Sequence, residues 1–310
     1  MKNLNKVWVI ISLIVLISIF YVFYKINSGF NNGNGNMNIV GFSIKDTNYQ
    51  QINDPLQFYQ RMRFVNKNIF YKIDNNCSSF QMGRMKEAFE IISNKTGAIN
   101  FIDTGNTDKN EDILVTCDNS YNLSDEYIKI GEGESYSIIN TGYFNIIKTG
   151  RITLTNDTLL CSEPNTELHE LLHVLGFKHS LDNQSIMYNI SDCSQQLDKE
   201  IIDNIKNLYT INNLPDLYFE EFNTTNNYDY LSFNAKILNK GLKEAKKTSL
   251  IIYSGNNKVN SFDLGDINYG EGKIVNVEDL NIKGYNKLNF VITDSEDLNQ
   301  SDNSETVNIV

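Results

Sequence analysis

All three histidines of this 310-residue chain lie within eleven consecutive positions, in the segment HELLHVLGFKHS. Residues four apart lie on one face of an α-helix, so His169 and His173 can bind one ion together. Gly176 can end that helix with a sharp reversal, because glycine tolerates positive φ. His179 then arrives from a loop as a third ligand. The segment therefore predicts a helix, a turn and a metal site that uses every histidine in the chain.

Three neutral imidazoles leave the fourth tetrahedral position of zinc open for water, which is the arrangement of a catalytic site rather than a structural one. A lone histidine is commonly a structural residue, and a short H-E-x-x-H match can arise by chance. The full string H-E-x-x-H-x-x-G-x-x-H is far more specific. We therefore predict one catalytic zinc and peptide hydrolysis, with Glu170 as the general base beside the metal.

The sequence resembles the metzincin zinc peptidases, and most of all the matrixins. Three features carry the resemblance: the H-E-x-x-H-x-x-G-x-x-H string, Ser180 directly after it and the segment SIMY (185–188) shortly beyond. The resemblance covers roughly Ile69 to Tyr209. It implies a zinc metalloendopeptidase with an α+β catalytic domain, in which a mixed twisted sheet carries three helices. Met187 would form the apolar floor of the Met-turn; the alternative is an ordinary core methionine. It also implies an extended substrate along a sheet edge, for which we choose Tyr143–Ile147.

The chain departs from the matrixin pattern in two respects that bear on its regulation and metals. Matrixins usually carry an inhibitory cysteine in a Pro-Arg-Cys-Gly-like setting, and the DNNCSSF sequence around Cys77 does not match it. They also hold a second, structural zinc through further histidines, which this sequence lacks. The sequence leaves open that the protein also binds calcium, but it identifies no residues for a calcium site.

Periodicity and capping residues predict the remaining elements of this domain. NIFYKI (68–73), AINFID and DILVTC have the composition of strands, and a helix from Ser78 or Ser79 to Gly97 lies between the first two. YFNIIKTGRITL predicts a hairpin that turns at Thr149 and Gly150. The segment LDKEIIDNIKNLY has a helical apolar stripe and resembles the last matrixin helix.

The pattern changes after Pro215. From Asp216 to Val310 the chain contains about seven short alternating runs separated by turns, which predicts an all-β sandwich. This region also resembles CARDB-type modules, which are immunoglobulin-like domains of cell-surface proteins. The resemblance implies a cell-surface partner for the sandwich and assigns no chemistry to it.

An uncharged apolar run from Val7 to Tyr24 follows Lys2 and Lys6. At about 1.5 Å per residue this run spans a bilayer core of roughly 30 Å, and the lysines favour a cytoplasmic N-terminus. We therefore predict a single-pass anchor with the remainder outside the cell, or secretion if the segment is cleaved. The predicted divisions are an anchor (1–27), an Asn/Gly-rich linker (28–40), a peptidase domain (41–213) and a sandwich (214–310).

The four cysteines, Cys77, Cys117, Cys161 and Cys193, would then lie in an oxidising compartment. Of the three possible pairings, we favour Cys77–Cys117 and Cys161–Cys193, which join neighbours in sequence. The net charge of −11 argues against nucleic-acid binding. Protein or peptide substrates are the expected partners. The alternative function is a cell-surface adhesion or scaffold protein whose sandwich is the active part and whose metal site is idle.

Overall fold

The computed structural model describes residues 36–43, 54–105, 110–118, 130–155, 161–293 and 296–309. The predicted membrane segment Val7–Tyr24 and most of the predicted linker lie outside these residues. Among the helices within the described ranges, none is both long and apolar enough to cross a membrane. The described chain forms an α+β domain followed by an all-β sandwich.

Strand β1 (Met37–Ser43) comes first in the chain but pairs within the second domain. The elements of the first domain are β2 (Met62–Phe64), β3 (Asn68–Ile73), α1 (Ser79–Thr96), β4 (Asn100–Asp103), β5 (Ile113–Asp118), β6 (Gly131–Asn140), β7 (Asn145–Thr155), α2 (Asn165–Val174) and α3 (Lys199–Leu208). The sheet has the order β2-β7-β5-β3-β4, with all neighbours parallel. Strand β6 pairs antiparallel with β7, so the sheet is mixed, as predicted.

Helix α1 begins and ends where the sequence predicts. Ser78 accepts a hydrogen bond from the backbone N–H of Gln81, whose side chain bonds back to Ser78, and this capping box satisfies two donors at the helix start. Gly97 ends the helix at φ 59°, in the left-handed region. Met85, Phe89 and other apolar residues of one face lie in the main core of the domain.

The predicted hairpin turn at Thr149 and Gly150 is wrong. These residues lie inside the continuous strand β7, and the chain reverses earlier, where the Thr141 N–H donates to the Phe144 carbonyl at 2.9 Å. Glycine is needed at position 150 for another reason, since a Cβ there would lie 2.3 Å from Val174 Cγ1 on α2. A glycine within a strand often marks such a close approach.

The second domain contains seven further strands after Pro215. They are β8 (Leu217–Asn227), β9 (Tyr230–Asn239), β10 (Ala245–Ser254), β11 (Asn257–Ile267), β12 (Glu271–Asn281), β13 (Lys287–Thr293) and β14 (Ser304–Asn308). Two antiparallel sheets, β1-β12-β9-β8 and β11-β10-β13-β14, enclose one apolar core. Phe233 of the first sheet and Phe290 of the second lie 5.0 Å apart between ring centroids. The structure thus contains the predicted sandwich.

Strand β1 corrects the predicted division of the N-terminal region. Met37 lies opposite Val277 and Ser43 opposite Glu271, so residues 37–43 form an edge strand of the sandwich rather than the end of a linker and the start of the peptidase domain. The physical reason is the exposed edge of β12, whose unpaired backbone groups accept a further strand. A segment of seven residues with half-buried Ile39 and Phe42 does not reveal from its own sequence which sheet it joins.

The two domains share a small apolar core. Phe144, directly before β7, and Ile146, within it, pack with Leu242 of the sandwich, and each is at most 1% exposed. Beside them, the Thr141 hydroxyl donates to the Lys240 carbonyl at 2.8 Å. The turn between β6 and β7 is therefore attached to the sandwich.

Candidate active site

Helix α2 carries the first two histidines of the predicted motif. It follows Pro164, and all ten of its residues are buried. His169 and His173 lie one turn apart on this helix, and their ring centroids are 4.6 Å from each other. The buried leucines of the helix pack into the main core, so the core fixes the helix that presents both imidazoles.

Gly176 supplies the predicted reversal. Its φ is 93°, and a Cβ would lie 2.7 Å from the Met62 Cβ, so both conformation and space favour glycine. Three residues later His179 returns to the helix. Its Nε2 lies 3.2 Å from that of His169 and 3.1 Å from that of His173, and the remaining pair is 3.0 Å apart. The structure thus brings all three predicted ligands together.

Backbone carbonyls orient two of the imidazoles. His169 Nδ1 lies 2.7 Å from the Ile186 carbonyl, and His173 Nδ1 lies 2.8 Å from the Phe177 carbonyl. Because a carbonyl only accepts, each Nδ1 carries the proton and each Nε2 directs its lone pair into the triangle. Such support from a second group commonly fixes the tautomer of a metal ligand.

Burial keeps the imidazoles neutral. Desolvation lowers the pKa of His173 to about 4, with a further lowering by the charge of His169. The pKa values of His169 and His179 are also lowered, in both cases chiefly by burial. A neutral imidazole is the form that binds a metal, so the site needs no deprotonation near pH 7.

The three nitrogens fit zinc. With their Nε2 atoms 3.0–3.2 Å apart, all three imidazoles could reach one ion at the usual zinc–nitrogen distance of about 2.0–2.1 Å. Three nitrogen ligands on one side leave the other side for water or substrate. This donor set is that of catalytic zinc sites.

Glu170 lies directly after the first histidine and is 6% exposed. Strand β6 passes close beside it, because a Cβ at Gly131 would lie 2.8 Å from Glu170 Oε1, and one at Gly133 would lie 2.0 Å from the Glu170 carbonyl oxygen. Ser135, on the same face of β6, donates to the Val174 carbonyl at 3.0 Å. These small residues position β6 against α2, and none of them was among the residues predicted from the sequence. The sequence does contain a signal for this contact: Gly131, Gly133 and Ser135 alternate in GEGES, so three small residues share one face of the strand.

The segment predicted to form the Met-turn lies beside the histidines. Met187 is 1% exposed and belongs to the main core, while the carbonyl of the preceding Ile186 bonds His169. The Met187 carbonyl accepts a hydrogen bond from Ser180 at 2.8 Å. The turn therefore contacts both ends of the histidine segment.

Both predicted disulfides form. Cys161–Cys193 joins the segment before α2 to the loop after Met187, and Cys77–Cys117 joins the start of α1 to the end of β5. Since Cys77 is oxidised in this pair, it offers no thiol to a metal. The first bridge encloses the helix and the Met-turn in one covalent loop.

A buried ion pair supports the start of α2. Arg84 Nε lies 3.7 Å from Glu167, and its guanidinium also donates to the Cys161 carbonyl at 2.9 Å and to the Glu163 carbonyl. Burial raises the pKa of Glu167, and the nearby Arg84 opposes that rise. Arg84 thereby ties α1 to the disulfide-bearing segment that leads into α2. Sequence analysis assigned neither residue a role.

The predicted substrate edge, Tyr143–Ile147, is wrong. Residues 145–147 lie inside the sheet, between β2 on one side and β6 on the other. The strand that borders α2 is β6, which has β7 as its one neighbour in the described sheet. Periodicity cannot distinguish an edge strand from the strand beside it, because both alternate in the same way.

One comparison with known proteins bears on this geometry. Residues 63–210 match the model of the matrixin family. A comparison with curated proteins finds no match. Solved structures similar to the chain include the 272–376 domain of a suggested cell surface protein from Methanosarcina acetivorans, at 17% identity and a TM-score of 0.27, covering 31% of this chain and 93% of that one. Another is a Pyrococcus furiosus CARDB domain in complex with di-metal ions, at 18% identity and a TM-score of 0.26, covering 31% and 90%.

The family match spans the sheet, α1, the three histidines, the Met-turn and α3. It thus covers the same residues that the structure assembles around one metal-type site. Residues 63–210 of the chain are thus similar to the matrixin family of metzincin metallopeptidases.

Proposed function

We propose that this protein is a membrane-anchored, extracytoplasmic zinc endopeptidase. The observation that carries the proposal is the triangle of three imidazole nitrogens with the carboxyl-bearing Glu170 one residue after the first of them. A structural zinc site is closed by four protein ligands, whereas the residues that the structure describes bring three together here. An intact Glu170 favours an enzyme over an idle metal site, which has no use for a base.

His169, His173 and His179 would hold the ion, and zinc bound there supplies a Lewis acid that makes water acidic and polarises a carbonyl. Glu170 accepts the proton of the attacking water and later delivers it to the leaving amine. The rigid placement of α2 against β6 holds this carboxyl group beside the reacting atoms. The expected substrates are peptides or proteins.

The proposed location rests on residues outside the described ranges. The apolar run Val7–Tyr24 and the preceding lysines support an anchor with the peptidase outside the cytoplasm. The two disulfides support the same compartment, because such bridges persist in oxidising surroundings. N-terminal sequencing of membrane-extracted protein tests the anchor, and a mature start near residues 26–30 would instead indicate secretion.

The decisive experiment replaces Glu170 by glutamine. The change keeps size and removes basicity, so zinc content by elemental analysis should remain one per chain while hydrolysis of casein falls by about 10²–10⁴-fold or more. His173→Ala should lose zinc and activity together. If Glu170→Gln retained full activity, the hydrolytic mechanism would be wrong. If neither wild type nor variant cleaved any substrate, the adhesion alternative would be the better one.

A further inference from the structure

Residues Asp54–Tyr59 form a short strap alongside the chain that connects the second and third histidines. The Phe58 N–H donates to the Gly176 carbonyl at 2.9 Å, and the Lys178 N–H donates to the Leu56 carbonyl at 3.0 Å. Gln57 and Phe177 form an antiparallel bridge between these two bonds. The strap is thus paired to the segment that positions the metal ligands.

The strap is also fixed by its side chains. Gln57 is 1% exposed, and its amide group donates to the Met62 carbonyl at 2.9 Å and accepts from the Met62 N–H at 3.0 Å. Asp54 Oδ1 accepts from the backbone N–H groups of Leu56 and Gln57. The Lys178 ammonium donates to the Asp54 carbonyl at 2.6 Å. A residue on this strap therefore has little freedom to move away from the site.

Phe58 is the strap residue that faces the metal ligands. Its ring centroid lies 5.9 Å from that of His173, yet 51% of the residue is exposed. The ring thus lies beside the imidazole and still presents hydrocarbon to solvent. Because a zinc–nitrogen distance is about 2 Å, the metal position lies within roughly 9 Å of this ring.

If the scissile carbonyl of a peptide lies at the metal, the side chains on either side of it lie within reach of the Phe58 ring. The reason is that successive Cα atoms are only about 3.8 Å apart. Single exposed apolar residues are common on protein surfaces and by themselves indicate nothing. Phe58 differs because it is held rigidly beside a metal ligand. Burying its exposed hydrocarbon against a substrate side chain would favour apolar residues there.

We propose, on the basis of the peptidase function above, that Phe58 contacts the substrate and selects peptides with an aromatic or large aliphatic residue flanking the scissile bond. The strap is then part of the substrate-binding cleft, and its pairing with residues 176–178 places a specificity residue next to the metal.

The test uses two fluorogenic peptides that differ only in having phenylalanine or glycine at both positions flanking the cleaved bond. Wild type should cleave the phenylalanine peptide with the higher kcat/KM. In Phe58→Ala the ratio of the two kcat/KM values should fall by about tenfold or more, the size expected for loss of an apolar contact. Phe58→Leu should retain most of the ratio. The control is Phe80→Ala on α1, which removes an equally exposed phenylalanine (50%) and should leave the ratio unchanged.

Zinc content and melting temperature of each variant show whether the site is intact. If Phe58→Ala keeps the wild-type ratio, or if Phe80→Ala lowers the ratio equally, the inference is overturned while the peptidase function stands. If zinc-loaded wild type cleaves neither these peptides nor casein, the proposed function fails and the inference fails with it.

Discussion

Replacing Gly133 by alanine tests the contact between β6 and α2. The new Cβ would lie 2.0 Å from the Glu170 carbonyl oxygen and 2.7 Å from its carbonyl carbon. Both are backbone atoms of a buried helix, so they cannot rotate aside. Real Cβ contacts essentially never fall below 3.0 Å, so the strand must withdraw by at least 1.0 Å, the difference between 3.0 and 2.0 Å.

This displacement should reduce both stability and activity. Overpacking in a well-packed interior typically costs about 1–3 kcal/mol of unfolding free energy, and a backbone clash belongs at the upper end. A misplacement of about 1 Å near reacting groups can lower the rate by about 10²-fold. We therefore expect Gly133→Ala to unfold at a lower urea concentration and to hydrolyse peptides about 10²-fold more slowly.

Two other glycines serve as matched controls. At Gly131 the nearest atoms are Cγ and Oε1 of Glu170, both 2.8 Å from the new Cβ, and this side chain can rotate. Gly131→Ala should therefore lose less stability but still lower kcat by displacing the base. Gly83, within α1, has nothing within 4 Å of its Cβ position. Gly83→Ala should stabilise the protein by up to about 1 kcal/mol through helix propensity, with activity preserved.

We expect to distinguish these three variants by urea unfolding, peptide hydrolysis and zinc analysis. If Gly133→Ala matches wild type in both its unfolding midpoint and its activity, the close packing of β6 on α2 is wrong.

Further predictions concern the supports of the site. Replacing Cys161 and Cys193 by alanine should lower the unfolding free energy by about 3–4 kcal/mol, given their separation of 32 residues in the chain-entropy account, and an unchanged urea midpoint would contradict this. Arg84→Ala leaves Glu167 buried without its ion-pair partner and should cost about 3–5 kcal/mol in urea unfolding. The double variant with Glu167→Leu should recover much of that loss, and a double variant no more stable than Arg84→Ala would refute the assignment. At the start of the second domain, burial raises the pKa of Asp216 to about 6; Lys240 opposes this rise, and the charges of Asp302 and Asp297 add to it. The folded state therefore binds this proton more tightly than the unfolded state. The contribution of Asp216 to stability is fully present below about pH 4 and is lost as pH rises through about 6. Melting temperatures of Asp216→Asn should show a weaker decline over this range than those of wild type, and parallel curves would count against the prediction.

The sequence alone was sufficient to predict the three candidate metal ligands because the spacing that relates them is local. His169 and His173 are related by one helical turn, and Gly176 and His179 follow within six residues, so their spacing already implies a shared ion. The structure confirms that the three Nε2 atoms meet. Capping residues likewise located α1, because Ser78 and Gly97 act through hydrogen bonds within a few residues.

The failed predictions all concern contacts between segments distant in sequence. The turn at Thr149 and Gly150 was misplaced because Gly150 accommodates Val174 of α2 rather than a reversal. The edge strand was misassigned because alternation reports which face is buried and says nothing about the neighbours.

Local spacing was thus sufficient to predict the three histidines that meet, the helix that carries two of them and the sandwich class of the second domain. Only the tertiary structure decided that residues 37–43 complete the sandwich, that the glycines of β6 lie against Glu170 and that Phe58 lies beside His173. The physical reason is that backbone pairing and close packing join whichever surfaces the whole fold brings together. The sequence of an edge strand, or the presence of a glycine, does not identify the segment that will pack against it.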